Sequence, residues 1–290
     1  MYPVLFELGR FKLYSFAFFY NVVMVACAWV FALEAERHKW QIPPVPWFLR
    51  WVPKSWQGTY FFDGLYSAVI YMLLGLGGAH LLYGVSMTLI QGWGLGMSFY
   101  GWVFMLASNL NGSMWMGGFL LCLAYSHYYA KSHKVGYLEF LDTAIFAPII
   151  GQVPGRIACF LGGCCYGKPS HLPWAFPQDS RFSLMEFPRG TPLHPSQLYE
   201  ATIALLIFIY MWKRRKNNVY LGQNVVRYFV LTGIARFFTE MVRADTPRGV
   251  LFEWLTVSQI VGVGLAIAGA VLHFSIMKKK KRAAVAASPA

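Results

Sequence analysis

The chain has 290 residues, of which 57% are hydrophobic, 18% aromatic and only 13% charged, with a formal net charge of +13. A soluble domain carries roughly a quarter charged residues, so this composition excludes an ordinary soluble fold and predicts an all-α polytopic membrane protein. The basic residues lie between apolar runs and in the tail, which reads as a topology signal and excludes the single charged face of a nucleic-acid binder.

Taken in order, residues 1–12 are short and mixed and are expected not to be a cleavable signal. Runs apolar enough to cross a ~30 Å hydrocarbon core, about 20 residues each, follow. They fall near 13–33, 64–89, 96–129, 138–158, 197–212, 221–241 and 255–277, predicting about seven transmembrane helices. The loop 34–63 combines Pro43, Pro44 and Pro46 with Trp40, Trp47, Trp51 and Trp56, which suits a segment lying on the membrane or a loop with aromatic anchors. Segment 162–195 is rich in proline and predicts a small irregular outer head. Residues 1–282 read as one transmembrane domain and 283–290 as a disordered tail. Lys278, Lys279, Lys280, Lys281 and Arg282 follow the last run, and a basic cluster beside a span marks the cytoplasmic side. Seven spans then place the N-terminus outside and the C-terminus in the cytoplasm, with 15 Lys and Arg in the inner segments against 7 in the outer ones.

With this topology, unusual polar residues gather at one level. The fourth span ends near Arg156, and the sixth carries Arg236, Glu240 and Arg243 at i, i+4 and i+7, on one face of a helix. The fifth opens with His194, Gln197, Tyr199 and Glu200, the third with Ser98 and Tyr100, and the first with Tyr14. Guanidiniums at membrane depth mark functional sites by default and suit an anion, phosphate above all, which they grip with two parallel hydrogen bonds. A phospholipid headgroup is the expected ligand. Glu200 and Glu240 read equally as partners that merely neutralise the arginines. Cys159, Cys164 and Cys165 lack a recognised zinc spacing, and a disulfide or simple packing is the alternative, so no metal ligand is assigned.

Three stretches then carry a resemblance: Gly155 to Gly167 (GRIACFLGGCCYG), Leu193 to Glu200 (LHPSQLYE) and Ala235 to Arg243 (ARFFTEMVR). Together, in this order, they resemble the motifs of the bacterial prolipoprotein diacylglyceryl transferase family. The resemblance implies a seven-span inner-membrane enzyme that moves the diacylglyceryl group of phosphatidylglycerol onto the lipobox cysteine of preprolipoproteins. A thioether forms and glycerol 1-phosphate leaves, with no cofactor. Arg156 and Arg236 match the essential arginines, and Tyr14 a functional tyrosine; Gly167, Gln197, Tyr199, Glu200, Glu240 and Arg243 are expected to line the substrate site. The chain departs from the family where Tyr100 replaces a histidine, where Cys159 and Cys164 replace an asparagine and a glutamate, and at His80, where an arginine is usual. With that histidine replaced, His194 becomes the expected proton acceptor, since an unperturbed imidazole titrates near pH 6.5, and Tyr100 a hydrogen-bond donor. Two alternatives stay open: a related lipid-group transferase with a different acceptor, and a non-enzymatic anion transporter.

Overall fold

The computed structural model describes residues 4–8, 11–91, 115–177, 188, 190–244, 250–251 and 255–286. It is mostly helical, and the described residues contain no closed sheet. Its contacts group the chain into two units, Met1–Phe31 with Leu141–Ala290, and Ala32–Phe140.

The first unit opens with an antiparallel hairpin, β1 (Val4–Leu8) and β2 (Phe11–Tyr14), leading directly into α1 (Ser15–Arg37). Tyr14 therefore ends a strand, and the helix expected from residue 13 begins at Ser15. Further along the chain come α4 (Tyr137–Ala144), which ends in this unit, α5 (Phe146–Gly162), α6 (Ser196–Arg214), α7 (Gln223–Met241) and α8 (Val257–Ala286), with the two-residue ladders β3 (Phe176–Pro177) on β4 (Pro192–Leu193) and β5 (Val250–Leu251) on β6 (Leu255–Thr256). Helices α5 and α6, α6 and α7, and α7 and α8 pack successively on one another. Val30, Phe146, Ile149 and Met211 form the apolar centre of this packing, flanked by the stacked rings of Phe208 and Trp212.

Two polar devices fix the ends of these helices. Asp142 accepts the backbone N–H groups of Asn224 (2.6 Å) and Val225 (3.1 Å), so a carboxylate from another helix satisfies the orphan donors at the start of α7. At the other level, α5 stops at Gly163, whose φ of 75° is the left-handed conformation that glycine enters freely. The Gly163 amide donates to the Phe160 carbonyl and the Cys164 amide to the Cys159 carbonyl, the doubled closure that folds a chain back over its last helical turn.

The second unit contains the loop after α1, α2 (Tyr60–Gln91) and α3 (Trp115–Ser132). Trp47, Trp51 and Trp56 are exposed, but Trp40 is buried, stacked on Phe140 at 5.8 Å. His133 is buried as well, its Nε2 lying 2.8 Å from the carboxylate of buried Asp63, which also accepts the Tyr129 hydroxyl. Asp63 lies seventy positions from His133, so the pairing is invisible to a linear reading.

Among the described residues, four helical stretches are long and apolar enough to cross a membrane: Ser15–Arg37, Tyr60–Leu82, Tyr137–Gly162 and Ser258–Arg282. Helices α3, α6 and α7, where further spans are expected, have 18, 19 and 19 residues. The latter two carry charges within them, Glu200, Lys213 and Arg214 on α6 and Arg227, Arg236 and Glu240 on α7. Their polarity is the reason that they fall short on composition alone.

Candidate active site

A short backbone junction joins the three sequence motifs. The Gly167 amide donates to the His194 carbonyl (3.0 Å), the His194 amide to the Lys168 carbonyl (3.0 Å), the Lys168 amide to the Val242 carbonyl (2.8 Å) and the Ala244 amide to the Tyr166 carbonyl (3.2 Å). Residues 166–168 thus run between the start of α6 and the end of α7, bonded to both. Buried Tyr166, Leu193 and Ala244 close an apolar cluster at the same junction. Gly167 is there because nothing larger fits: a Cβ would lie 2.5 Å from the His194 Cβ, 2.7 Å from its carbonyl oxygen and 2.8 Å from the Val242 carbonyl oxygen. The start of α6 is also tied to the cysteine turn, since the Ser196 hydroxyl donates to the Cys165 carbonyl (2.7 Å) and the fully buried Gln197 amide to the Cys164 carbonyl (2.6 Å).

The junction brings five charges together. Glu200 Oε2 meets Arg156 Nη2 at 2.5 Å, while its Oε1 meets Arg243 Nη1 at 2.8 Å and Arg236 Nη1 at 3.2 Å. Arg236 Nη2 in turn reaches Glu240 Oε2 at 2.5 Å and donates to the Ser258 hydroxyl at 3.1 Å. One carboxylate is therefore shared by three guanidiniums. Three cations against two carboxylates leave one positive charge in this cluster, enough to neutralise a phosphodiester. The arginines differ in access: the Arg156 and Arg236 side chains keep 25% and 24% of their surface exposed, Arg243 only 2%. Arg243 is thereby a buried strut, and the two accessible guanidiniums are the ones able to meet a ligand.

The other expected residues are distributed around this centre. His194 directs Nδ1 at the Tyr199 hydroxyl (3.2 Å), and the Trp174 indole donates to the same hydroxyl (2.7 Å). Tyr14 is 48% exposed at the end of β2, opposite Val4, and Tyr100 lies outside the described residues. Arg227 is held by Asn218 (2.6 Å) and Asn224 (2.9 Å) at the far end of α7. Beside Arg156, the sulfurs of Cys159, Cys164 and Cys165 all lie within 4.8 Å of one another. Hydrogen bonds from the Cys159 and Cys164 thiols, reinforced by the charges of Arg243 and Arg156, hold the Cys165 thiol below its ordinary range.

A sequence profile described as prolipoprotein diacylglyceryl transferase matches residues 3–275. The chain belongs to the prolipoprotein diacylglyceryl transferase family. It is similar to the phosphatidylglycerol–prolipoprotein diacylglyceryl transferase of Finegoldia magna, 33% identical over 166 residues that cover 56% of this chain and 61% of that protein. The correspondingly named protein of Clostridioides difficile is 31% identical over 165 residues, covering 57% and 61%. The chain thus spans about three fifths of the length of these two relatives, whereas the similarity to the Methylococcus capsulatus protein, 31% identical over 284 residues, covers 93% of both. In this member of the prolipoprotein diacylglyceryl transferase family, two residues that the motifs did not single out support site side chains. Ser258 completes the hydrogen bonds of Arg236, and Trp174 those of Tyr199. Ser258 opens the last apolar run at the level where the other polar residues gather, which is the signal that would have found it.

Proposed function

We propose that this chain transfers the diacylglyceryl group of phosphatidylglycerol to the lipobox cysteine of prolipoproteins, forming a thioether and releasing glycerol 1-phosphate. The observation that supports this reading best is the pair of accessible guanidiniums, Arg156 and Arg236, bridged by Glu200 in a chain of this family. Both would meet the lipid phosphate. Their forked donors fit its oxygens, and they would stabilise the extra charge that develops as the phosphate becomes a leaving group. Glu200, Glu240 and Ser258 fix the directions of the two forks, and Arg243 with Gln197 and Gly167 holds the scaffold. Tyr14 and Tyr199 would line the substrate path, with Tyr100 donating to a phosphate or glycerol oxygen and His194 receiving a proton. The attack itself is by the acceptor thiol, which at its ordinary pKa near 8.5 is only a few per cent ionised at neutral pH. The decisive experiment mixes purified full-length protein with phosphatidylglycerol and a lipobox peptide and follows the mass of the peptide. A thioether-linked diacylglyceryl peptide with stoichiometric glycerol phosphate is expected; a peptide left unmodified at saturating lipid would reject the reading.

The same reading places seven spans in a bacterial inner membrane as one domain of residues 1–282, with the head 162–195 and the loop near Thr246 outside and Lys213 to Lys216 inside. It rests on the basic-residue bias. Single cysteines at Ser170 and Asn217 in a cysteine-free background test it with a membrane-impermeant thiol reagent: residue 170 is expected to react in intact cells lacking an outer membrane and residue 217 only after lysis. The opposite labelling pattern overturns both the orientation and the assignment of the arginine cluster to the outer leaflet.

A further inference from the structure

We propose that Cys159, Cys164 and Cys165 hold one zinc ion whose fourth coordination position is open to the acceptor thiol. The first half of this inference stands on the cysteines alone, and the second rests on the transferase reading above.

Three sulfurs within 4.8 Å of one another occupy one small volume. An ion bound at about 2.3 Å to each of three sulfurs in a tetrahedron holds them about 3.8 Å apart, so closing the observed arrangement onto zinc takes only small side-chain movements. Neighbouring cysteines such as Cys164 and Cys165 normally point apart, which is an objection to two adjacent ligands on one ion. The backbone removes it. Cys165 has a φ of 61°, a left-handed conformation that costs a non-glycine residue about 1–2 kcal/mol, and with it the three sulfurs converge. The turn at Gly163 meanwhile folds Cys164 over Cys159. Both cysteine carbonyls are then clamped by Ser196 and Gln197, so the turn is held in this shape from the outside. Strain maintained by two side-chain hydrogen bonds is what a preformed ligand site requires.

The donor set selects the ion. Three thiolates are soft ligands suited to zinc or monovalent copper. Three thiolates complete a trigonal copper site, whereas a three-ligand zinc site keeps one position for water or substrate. Three thiolates around zinc carry a charge of −1, and Arg156 and Arg243 both act on this cluster electrostatically. Cys27 and Cys122 are elsewhere, their sulfurs directed at the carbonyls of Ala147 (3.2 Å) and Tyr71 (3.6 Å).

The chemistry addresses the replaced histidine. A thiol that coordinates zinc gives up its proton, with His194 as the acceptor assigned above, and its sulfur becomes the nucleophile. The carbon–sulfur bond forms at the glyceryl carbon as the bond from that carbon to the phosphate oxygen breaks, and the electron pair leaves with glycerol phosphate between Arg156 and Arg236. No atom changes oxidation state in a way that calls for an external oxidant or reductant.

Full-length protein purified in detergent without chelator should contain one zinc per chain by elemental analysis, with sulfur neighbours at about 2.3 Å by X-ray absorption. Cys159→Ser and Cys165→Ser should lose it, and Cys122→Ser should keep it. Cobalt added to chelated wild-type protein should give an intense thiolate charge-transfer band, a readout independent of whether the serine variants fold. Removing zinc should lower transfer to a lipobox peptide at least about tenfold, recovered by zinc, because the thiol then reacts from its small ionised fraction. Zinc retained in the Cys159→Ser/Cys165→Ser double variant, copper in its place, or a disulfide among the three without metal would each overturn the site. Undiminished transfer by metal-free protein would overturn the open position while leaving the transferase intact. Zinc on three sulfurs with no transfer at all would uphold the metal site and reject the transferase.

Discussion

Replacing Arg156 or Arg236 by lysine should lower diacylglyceryl transfer by about 100-fold or more while the protein still inserts, the scale seen when one preorganised donor to a developing anion is removed. Lysine keeps the charge, so a simple electrostatic attraction to the lipid would survive. What it loses is the planar fork. Arg236 spends one nitrogen on Glu200 and the other on Glu240 and Ser258, and an ammonium cannot hold that geometry and still face a phosphate squarely. The effect should fall mainly on kcat, since the leaving phosphate is more charged than the bound diester. Initial rates with a lipobox peptide, normalised to protein in the membrane fraction, decide the matter. Near-normal turnover in both variants would remove the arginines from the reaction and leave them as structural partners of Glu200.

The second large effect is expected from a single methyl group. Gly167→Ala places a carbon 2.5 to 2.8 Å from three atoms, two of which are backbone carbonyl oxygens of His194 and Val242. No side-chain rotation relieves that overlap. The segments must separate, weakening the Gly167 to His194 and Lys168 to Val242 hydrogen bonds together, at a cost of roughly 3 kcal/mol or more. Thermal unfolding in detergent should show a markedly lower Tm, and transfer activity should fall with it even though Gly167 carries no chemistry. A variant with unchanged Tm and activity would mean that the junction is not what holds the motifs together.

How much of this was legible beforehand can be judged residue by residue. The gathering of Arg156, Glu200, Arg236, Glu240 and Arg243 was visible because helical periodicity and the placing of apolar runs assign residues to faces and depths. Their pairing was only partly visible. That Glu200 would serve three guanidiniums depends on the tertiary position of α6, which no spacing encodes. Arg243 was read as a ligand-lining residue on the same face as Arg236, and its side chain is buried to 2% because the chain turns at Val242 and folds against Tyr166 and Lys168. The cysteine cluster was hidden for a different reason. Its convergence depends on one left-handed residue and a helix closure, and backbone handedness at a non-glycine position leaves no mark in composition or period. Asp142 and Trp174 were missed because each acts on a partner far away in sequence.

Asp142 gives the site its datum. By gripping the first amides of α7 it fixes the start of that helix against the segment that leads into α5. Arg156 stands 14 positions beyond Asp142 and Arg236 stands 12 beyond Asn224. At 1.5 Å per residue the two guanidiniums are carried about 20 Å from a common footing, to within about 3 Å of the same height. The two helical paths from that grip are of nearly matching length, so a carboxylate about 20 Å away helps to level the charges that would receive a phosphate. A change at Asp142 would reach the site as a slip in height between the arginines, far from any atom that touches the lipid.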